Sequence, residues 1–136
     1  MKRVTGLGGI FFKTSHKEKT MEWYKKHLDI RIPDIYGGIF EWREKEDPGQ
    51  VCYTVWSPFP QDTNYFEPSK REFMINYRVD DLEGLIRVLK EEGVEVVGEI
   101  QEFDYGKFGW IMDPEGNKIE LWEPKDKVFE DYYKDK

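Results

Sequence analysis

The sequence predicts an α+β fold made of two copies of a strand–helix–strand–strand–strand module. Three observations carry that prediction. Two helical segments are each preceded by one strand-like run and followed by several. Turn signals stand at matching places in the two halves, and short identities recur 66 residues apart. A chain of 136 residues is long enough for one domain with a real core and no staples. The expected organisation is a single domain over 1–136. It holds modules at 5–58 and 71–124, a linker at 57–72 and a C-terminal tail at 125–136.

In the first half, residues 5–13 carry Leu7, Ile10, Phe11 and Phe12 and read as a strand. Thr14, Ser15, His16 and Thr20 offer capping groups, and Met21, Tyr24 and Leu28 recur at helical spacing over 19–28. Ile30 to Tyr36 reads as a short strand broken by Pro33. Ile39 to Glu44 follows the Gly37-Gly38 turn, and Val51 to Trp56 follows Asp47-Pro48-Gly49.

In the second half, Phe73 to Val79 alternates as a strand. Asp80-Asp81 opens a helix, because carboxylates suit its positive end. Leu82, Leu85, Ile86 and Leu89 form its apolar stripe, and Gly93 ends it. Val94 to Ile100, Phe108 to Met112 and Lys118 to Trp122 read as strands, the last after the turn Asp113 to Asn117. The tail carries Val128, Phe129, Tyr132 and Tyr133 among charges; packing as a short helix and fraying both stay open.

Composition narrows the function. Twenty-eight acidic against 21 basic residues give a net charge of −7, the wrong sign for displacing counterions from phosphates, so no nucleic-acid partner is expected. No apolar run approaches a membrane span, the N-terminus reads as lacking a signal-peptide core, and the single Cys52 allows no internal disulfide. A cytoplasmic location is expected.

The halves superpose by sequence at one offset. Asp47-Pro48, Trp56 and Pro58 stand 66 residues before Asp113-Pro114, Trp122 and Pro124. Two such modules pairing their strands into one pseudo-symmetric body is the expected architecture.

Three segments then carry a family resemblance: GIFFKTSHKEKTMEWYKKHLD from Gly9, FMINYRVDDL from Phe73 and DPEGNKIELWEP from Asp113. In this order they resemble the vicinal oxygen chelate superfamily of glyoxalase I, bleomycin-resistance proteins and extradiol dioxygenases. The resemblance implies two βαβββ modules forming an open, U-shaped eight-stranded mixed sheet around a cavity, with the helices outside and a homodimer as the usual assembly. It also implies four metal-ligand positions, which fall on Gly9, Thr54, Met74 and Glu120. Only Glu120 is a competent ligand, because glycine offers no side chain, a hydroxyl is weak and a thioether suits soft ions. No cofactor is therefore expected, although a weakly held divalent metal stays open. His16 and His27 read as solvated surface residues.

Alternation along the strands puts Glu120 and Trp122 on the cavity side and Ile119 and Leu121 towards the helices. The same reasoning puts Phe11, Thr54, Trp56, Met74 and Asn76 with Glu120 as ligand-binding candidates. For Trp56 and Trp122 the alternative is core or dimer interface, and for Glu120 a hydrogen-bonded structural carboxylate. Tyr36, Phe40, Trp42, Tyr105, Phe108 and Trp110 are further aromatic candidates whose facing the sequence leaves open. The leading functional expectation is a protein binding a small organic ligand in an aromatic-lined cavity without a tightly bound metal. The alternatives are a lyase or isomerase using Glu120 as general base, and a metal-dependent lyase or dioxygenase.

Overall fold

The computed structural model describes all 136 residues, Met1–Lys136. The elements run β1 (Val4–Thr14), α1 (Lys17–Leu28), β2 (Gly38–Arg43), β3 (Val51–Pro60), β4 (Phe73–Val79), α2 (Leu82–Glu91), β5 (Gln101–Phe103), β6 (Gly106–Met112), β7 (Lys118–Pro124) and α3 (Asp126–Tyr133). The seven strands form one open mixed sheet in the order β2-β3-β1-β4-β7-β6-β5. At its centre β1 runs parallel to β3 and antiparallel to β4, and β4 runs parallel to β7. No helix is long and apolar enough to cross a membrane.

Local chemistry sets the helix ends. The Asp81 carboxylate accepts from the Gly84 amide at 3.0 Å and caps α2, whose Leu82, Leu85 and Ile86 are buried against Val79 and Leu121. Gly93 follows with φ 86°, a backbone state that favours glycine. Helix α1 ends at Asp29 in the left-handed region and buries no side chain completely. It rests on the sheet through Tyr24, whose ring lies 4.7 Å from that of Trp56.

The expected eighth strand is absent. Between Ile30 and Tyr36 only an isolated Asp34–Gly37 bridge and the Ile39 amide on the Arg31 carbonyl pair the backbone. Pro33 has no amide to donate and the left-handed Asp29 turns the chain beforehand. Val94 to Ile100 is likewise not a strand. Only Val96 bridges, to Ile111; Gly98 at φ 69° interrupts the run, and β5 starts after it.

The 66-residue offset is not the structural equivalence either. Strand β3 starts three residues after Pro48, and β7 starts four after Pro114. Matching the Asp-Pro dipeptides therefore slips one strand by a residue, which reverses its faces. On β7, Leu121 packs under α2 while Glu120 and Trp122 point the other way. On β3, Trp56 faces α1, and the odd-numbered Tyr53, Val55, Ser57 and Phe59 share the face of Glu120.

The tail is a helix, and it lies on the face opposite α1 and α2. Phe129 and Tyr133 of α3 pack on Tyr53 of β3 and Phe129 on Trp122 of β7, spanning the concave side. Both ends are tied. Arg78 Nη2 donates to Asp126 Oδ1 and Oδ2 at 2.7 and 2.6 Å. Arg31 donates to the carbonyls of Tyr133 and Lys136 at 2.6 to 3.0 Å.

Candidate functional site

Strands β1, β4 and β7 bring Gly8, Phe11, Asn76, Glu120 and Trp122 to one face. There they line a cavity of about 410 Å3 with Val55, Ser57 and Phe59 of β3, Tyr105 and Phe108 from the β5–β6 hairpin, and Phe129 of α3. Phe108 and Trp122 stack with rings 8° apart and centroids 5.9 Å apart. Lys17, at the start of α1, contributes the cation of the lining.

Glu120 is the chemical centre. It is 2% exposed. Asn76 Nδ2 donates to its Oε1 at 2.6 Å, and Tyr65 Oη and Trp110 Nε1 donate to its Oε2 at 2.5 and 2.9 Å. Burial raises the Glu120 pKa above its ordinary value, and the bonds from Tyr65, Asn76 and Trp110 hold it back. Burial also pushes the Tyr65 phenol up, reinforced by the negative charge it faces, so Tyr65 stays a donor. The Lys118 ammonium donates to the Tyr65 carbonyl at 2.8 Å and lies over the rings of Tyr65 and Trp110. Its pKa is lowered by burial against the pull of Glu120.

Asn76 is held by a missing side chain. A Cβ on Gly8 would sit 2.0 Å from Asn76 Oδ1, so only glycine leaves room for the amide. That oxygen is buried and has no hydrogen-bond partner.

The structure divides the sequence candidates. Phe11, Asn76, Glu120 and Trp122 line the cavity together. Trp56 does not; it lies between Phe12 and Tyr24 on the other face. Thr54 shares that parity, and its hydroxyl donates to the Leu7 carbonyl while accepting from Trp42 Nε1. Met74 has the parity of Asn76 but is fully buried with Phe11, Phe66 and Trp110, away from the cavity wall. Gly9 yields its place to Gly8, because the β1–β4 register shifts between Leu7 and Gly9. A Cβ at Gly9 would meet the Phe11 ring and the Val55 carbonyl. Of the aromatics left open, Tyr36, Tyr105 and Phe108 reach the cavity and Trp110 holds Glu120. Trp42 lies over Arg78, and Phe40 is exposed.

Sequence reasoning missed Tyr65, Val55, Ser57, Phe59 and Phe129. Tyr65 had a signal, since the linker is rich in aromatics and prolines, but nothing in it indicates which carboxylate the phenol meets.

A divalent metal does not fit these residues. The positions surrounding Glu120 are glycine, valine and the Asn76 amide, and that amide presents its N–H, not its oxygen, to the carboxylate. The remaining donors also point at the carboxylate oxygens where a cation would sit. His16 and His27 are exposed, and no group of three His, Cys, Asp or Glu side chains could hold an ion.

The open mixed sheet thus carries α1 and α2 on one face and, on the other, α3 and a cavity built around one buried carboxylate. The sequence profile of the Glyoxalase/Bleomycin resistance protein/Dioxygenase superfamily matches residues 7–121, and the chain belongs to that superfamily. Among solved structures it is similar to methylmalonyl-CoA epimerase from Mycobacterium tuberculosis, with 25% identity, TM-score 0.59, and 95% of this chain and 94% of that one covered. A Streptomyces coelicolor methylmalonyl-CoA epimerase variant in complex with 2-nitronate-propionyl-CoA matches at 14% identity and TM-score 0.65, covering 90% and 99%. The NAD-dependent benzaldehyde dehydrogenase structure from Legionella pneumophila matches at 15% identity and TM-score 0.56, covering 86% and 98%. These last two are likenesses of fold. No curated protein sequence matches the chain.

Proposed function

We propose that the protein binds a small, flat organic ligand in the cavity between its aromatic walls, without a tightly bound metal. The ligand turns a hydrogen-bond-donating or cationic group towards Glu120. The observation that carries this reading is the buried Glu120 carboxylate in the wall of a cavity faced by Phe11, Phe59, Tyr105, Phe108, Trp122 and Phe129. Aromatic faces beside a carboxylate attract cations and planar groups, and a few placed polar atoms in an apolar wall are what a ligand site needs. Oε1 accepts only from Asn76, which leaves it a lone pair for a ligand donor.

The test is a thermal-shift screen of aromatic amines, aromatic acids and neutral sugars. Aromatic amines are expected to raise the melting temperature, and Glu120→Gln to abolish the gain. Hits confined to acids or sugars, or none at all, overturn the reading.

One observation favours a second reading, a lyase or isomerase. Burial raises the Glu120 pKa, as a general base acting beside a carbonyl requires. The 25% identity to a methylmalonyl-CoA epimerase agrees with an isomerase. Glu120→Gln would then abolish turnover while keeping ligand affinity; full activity in that variant sinks it.

The proposal includes self-association into a homodimer through the β2 side. There β2 is a sheet edge and Phe40 is exposed, and light scattering reads the mass directly. It also places the protein in the cytoplasm, where the single, buried Cys52 needs no partner; fractionation tests this.

A further inference from the structure

A second cavity of about 480 Å3 adjoins the first. The two share Tyr36, Val55, Tyr105 and Phe129 as walls. Beyond these, the second is lined by Val128, Tyr132 and Tyr133, so no charged side chain lines it. Helix α3 supplies all three of these residues, and α3 lies beyond residues 7–121, the segment that matches the superfamily. It is fastened at both ends, by Asp126 on Arg78 and by the Tyr133 and Lys136 carbonyls on Arg31. A further bond runs from the Tyr132 hydroxyl to Asp34.

We infer that the two cavities are compartments of one bipartite site, meeting at Phe129, that takes an amphiphilic ligand. Its donor-bearing aromatic head lies against Asn76 and Glu120, and its uncharged apolar tail lies in the compartment under α3. This rests on the reading that the first cavity binds a donor-bearing head. The chemistry of the walls differs as the two parts of such a molecule require. Ser57, Asn76, Glu120 and Lys17 all belong to the first cavity, while the second has no charged or amide side chain and its polar atoms are the phenol hydroxyls of Tyr36, Tyr105, Tyr132 and Tyr133. Apolar groups entering it leave water against ring faces, while the Tyr132 hydroxyl keeps its bond to Asp34 and the exposed Tyr36 and Tyr105 keep theirs to water. The family's own segment provides the polar half, and the appended helix adds Val128, Phe129, Tyr132 and Tyr133 to the apolar one.

The probes are benzylamine and its 4-ethyl, 4-butyl and 4-hexyl derivatives, titrated calorimetrically into the full chain. Affinity is expected to rise about threefold to fourfold per methylene, the value for burying each from water. Val128→Trp fills the second compartment from a position that is 42% exposed. It is expected to bring the hexyl-to-parent affinity ratio down at least about tenfold. Its melting curve confirms folding, and Val128→Leu, a smaller filling, should move the ratio in the same direction. If benzylamine binds and Glu120→Gln weakens it, but affinity is flat along the series, this inference falls and the proposed function stands. A rising series that neither Val128 variant changes also overturns it, since the tail then lies elsewhere. If no member binds, both readings fall.

Discussion

The Arg78–Asp126 pair fastens the start of α3 to the sheet, and removing Asp126 tests what that fastening contributes. Arg78 has a side chain only 4% exposed, between the rings of Trp42 and Trp122 at 5.2 and 5.4 Å. Besides Asp126 its guanidinium has one long contact, Nη1 to the Tyr53 carbonyl at 3.4 Å, and Nε has no partner. Asp126→Ala therefore leaves a buried cation with almost nothing to bond. Breaking such a pair costs about 3–5 kcal/mol. Asp126 is 17% exposed, so water can follow it in, and the lower value, about 3 kcal/mol, is expected. For a chain of this length that lowers the melting temperature by roughly 10 °C. Urea unfolding followed by tryptophan fluorescence and by circular dichroism gives the free energy. Replacing both partners, Arg78→Met with Asp126→Leu, should return within about 1 kcal/mol of the parent, since no charge is then stranded. A loss below about 1 kcal/mol for Asp126→Ala would refute the reasoning, because that is the range of a solvated surface pair.

Three further outcomes are expected. The folded pKa of Glu120 is raised above its ordinary 4.5, so the parent's stability from this group is complete below that value and is lost as pH rises through the folded one. Glu120→Gln should erase this slope, so that its stability relative to the parent rises as the pH is taken from about 4 to 8, read by urea titration across pH. The new amide has a partner waiting, because a turned Asn76 side chain offers its unpaired Oδ1. Gly8→Ala drives a methyl into Asn76 Oδ1 and should cost about 1–3 kcal/mol in melting experiments while weakening ligand binding. Tyr65→Phe deletes the shortest bond to Glu120, costing about 1.5–3 kcal/mol and moving the carboxyl band in a pH-dependent infrared titration to higher pH.

Much of the fold could be read from residue patterns. Both sheet-side helices and six of the seven strands lie where periodicity and turn residues put them. The failures have local causes. Pro33 and Gly98 each interrupt a run whose side chains look strand-like, because backbone geometry overrides side-chain propensity there. The candidate site was legible on β7 and β4, where simple alternation leads to Glu120 and Asn76. It was misread on β3, because one residue of slip at the Asp-Pro turn exchanges Trp56 for Val55, and on β1, because a bulge exchanges Gly9 for Gly8. Tyr65 and Phe129 come from the linker and the tail. Their rings reach the site through tertiary packing that no strand or helix period records.

The central claim is that Glu120 receives a donor-bearing aromatic ligand without a metal. Calorimetric titration of chelator-treated protein with benzylamine, parent against Glu120→Gln, tests it most directly. Saturable one-to-one binding to the chelator-treated parent, weakened at least about tenfold in the variant, is the predicted result. Binding that appears only after a divalent ion is added, or that is equal in both proteins, would contradict it.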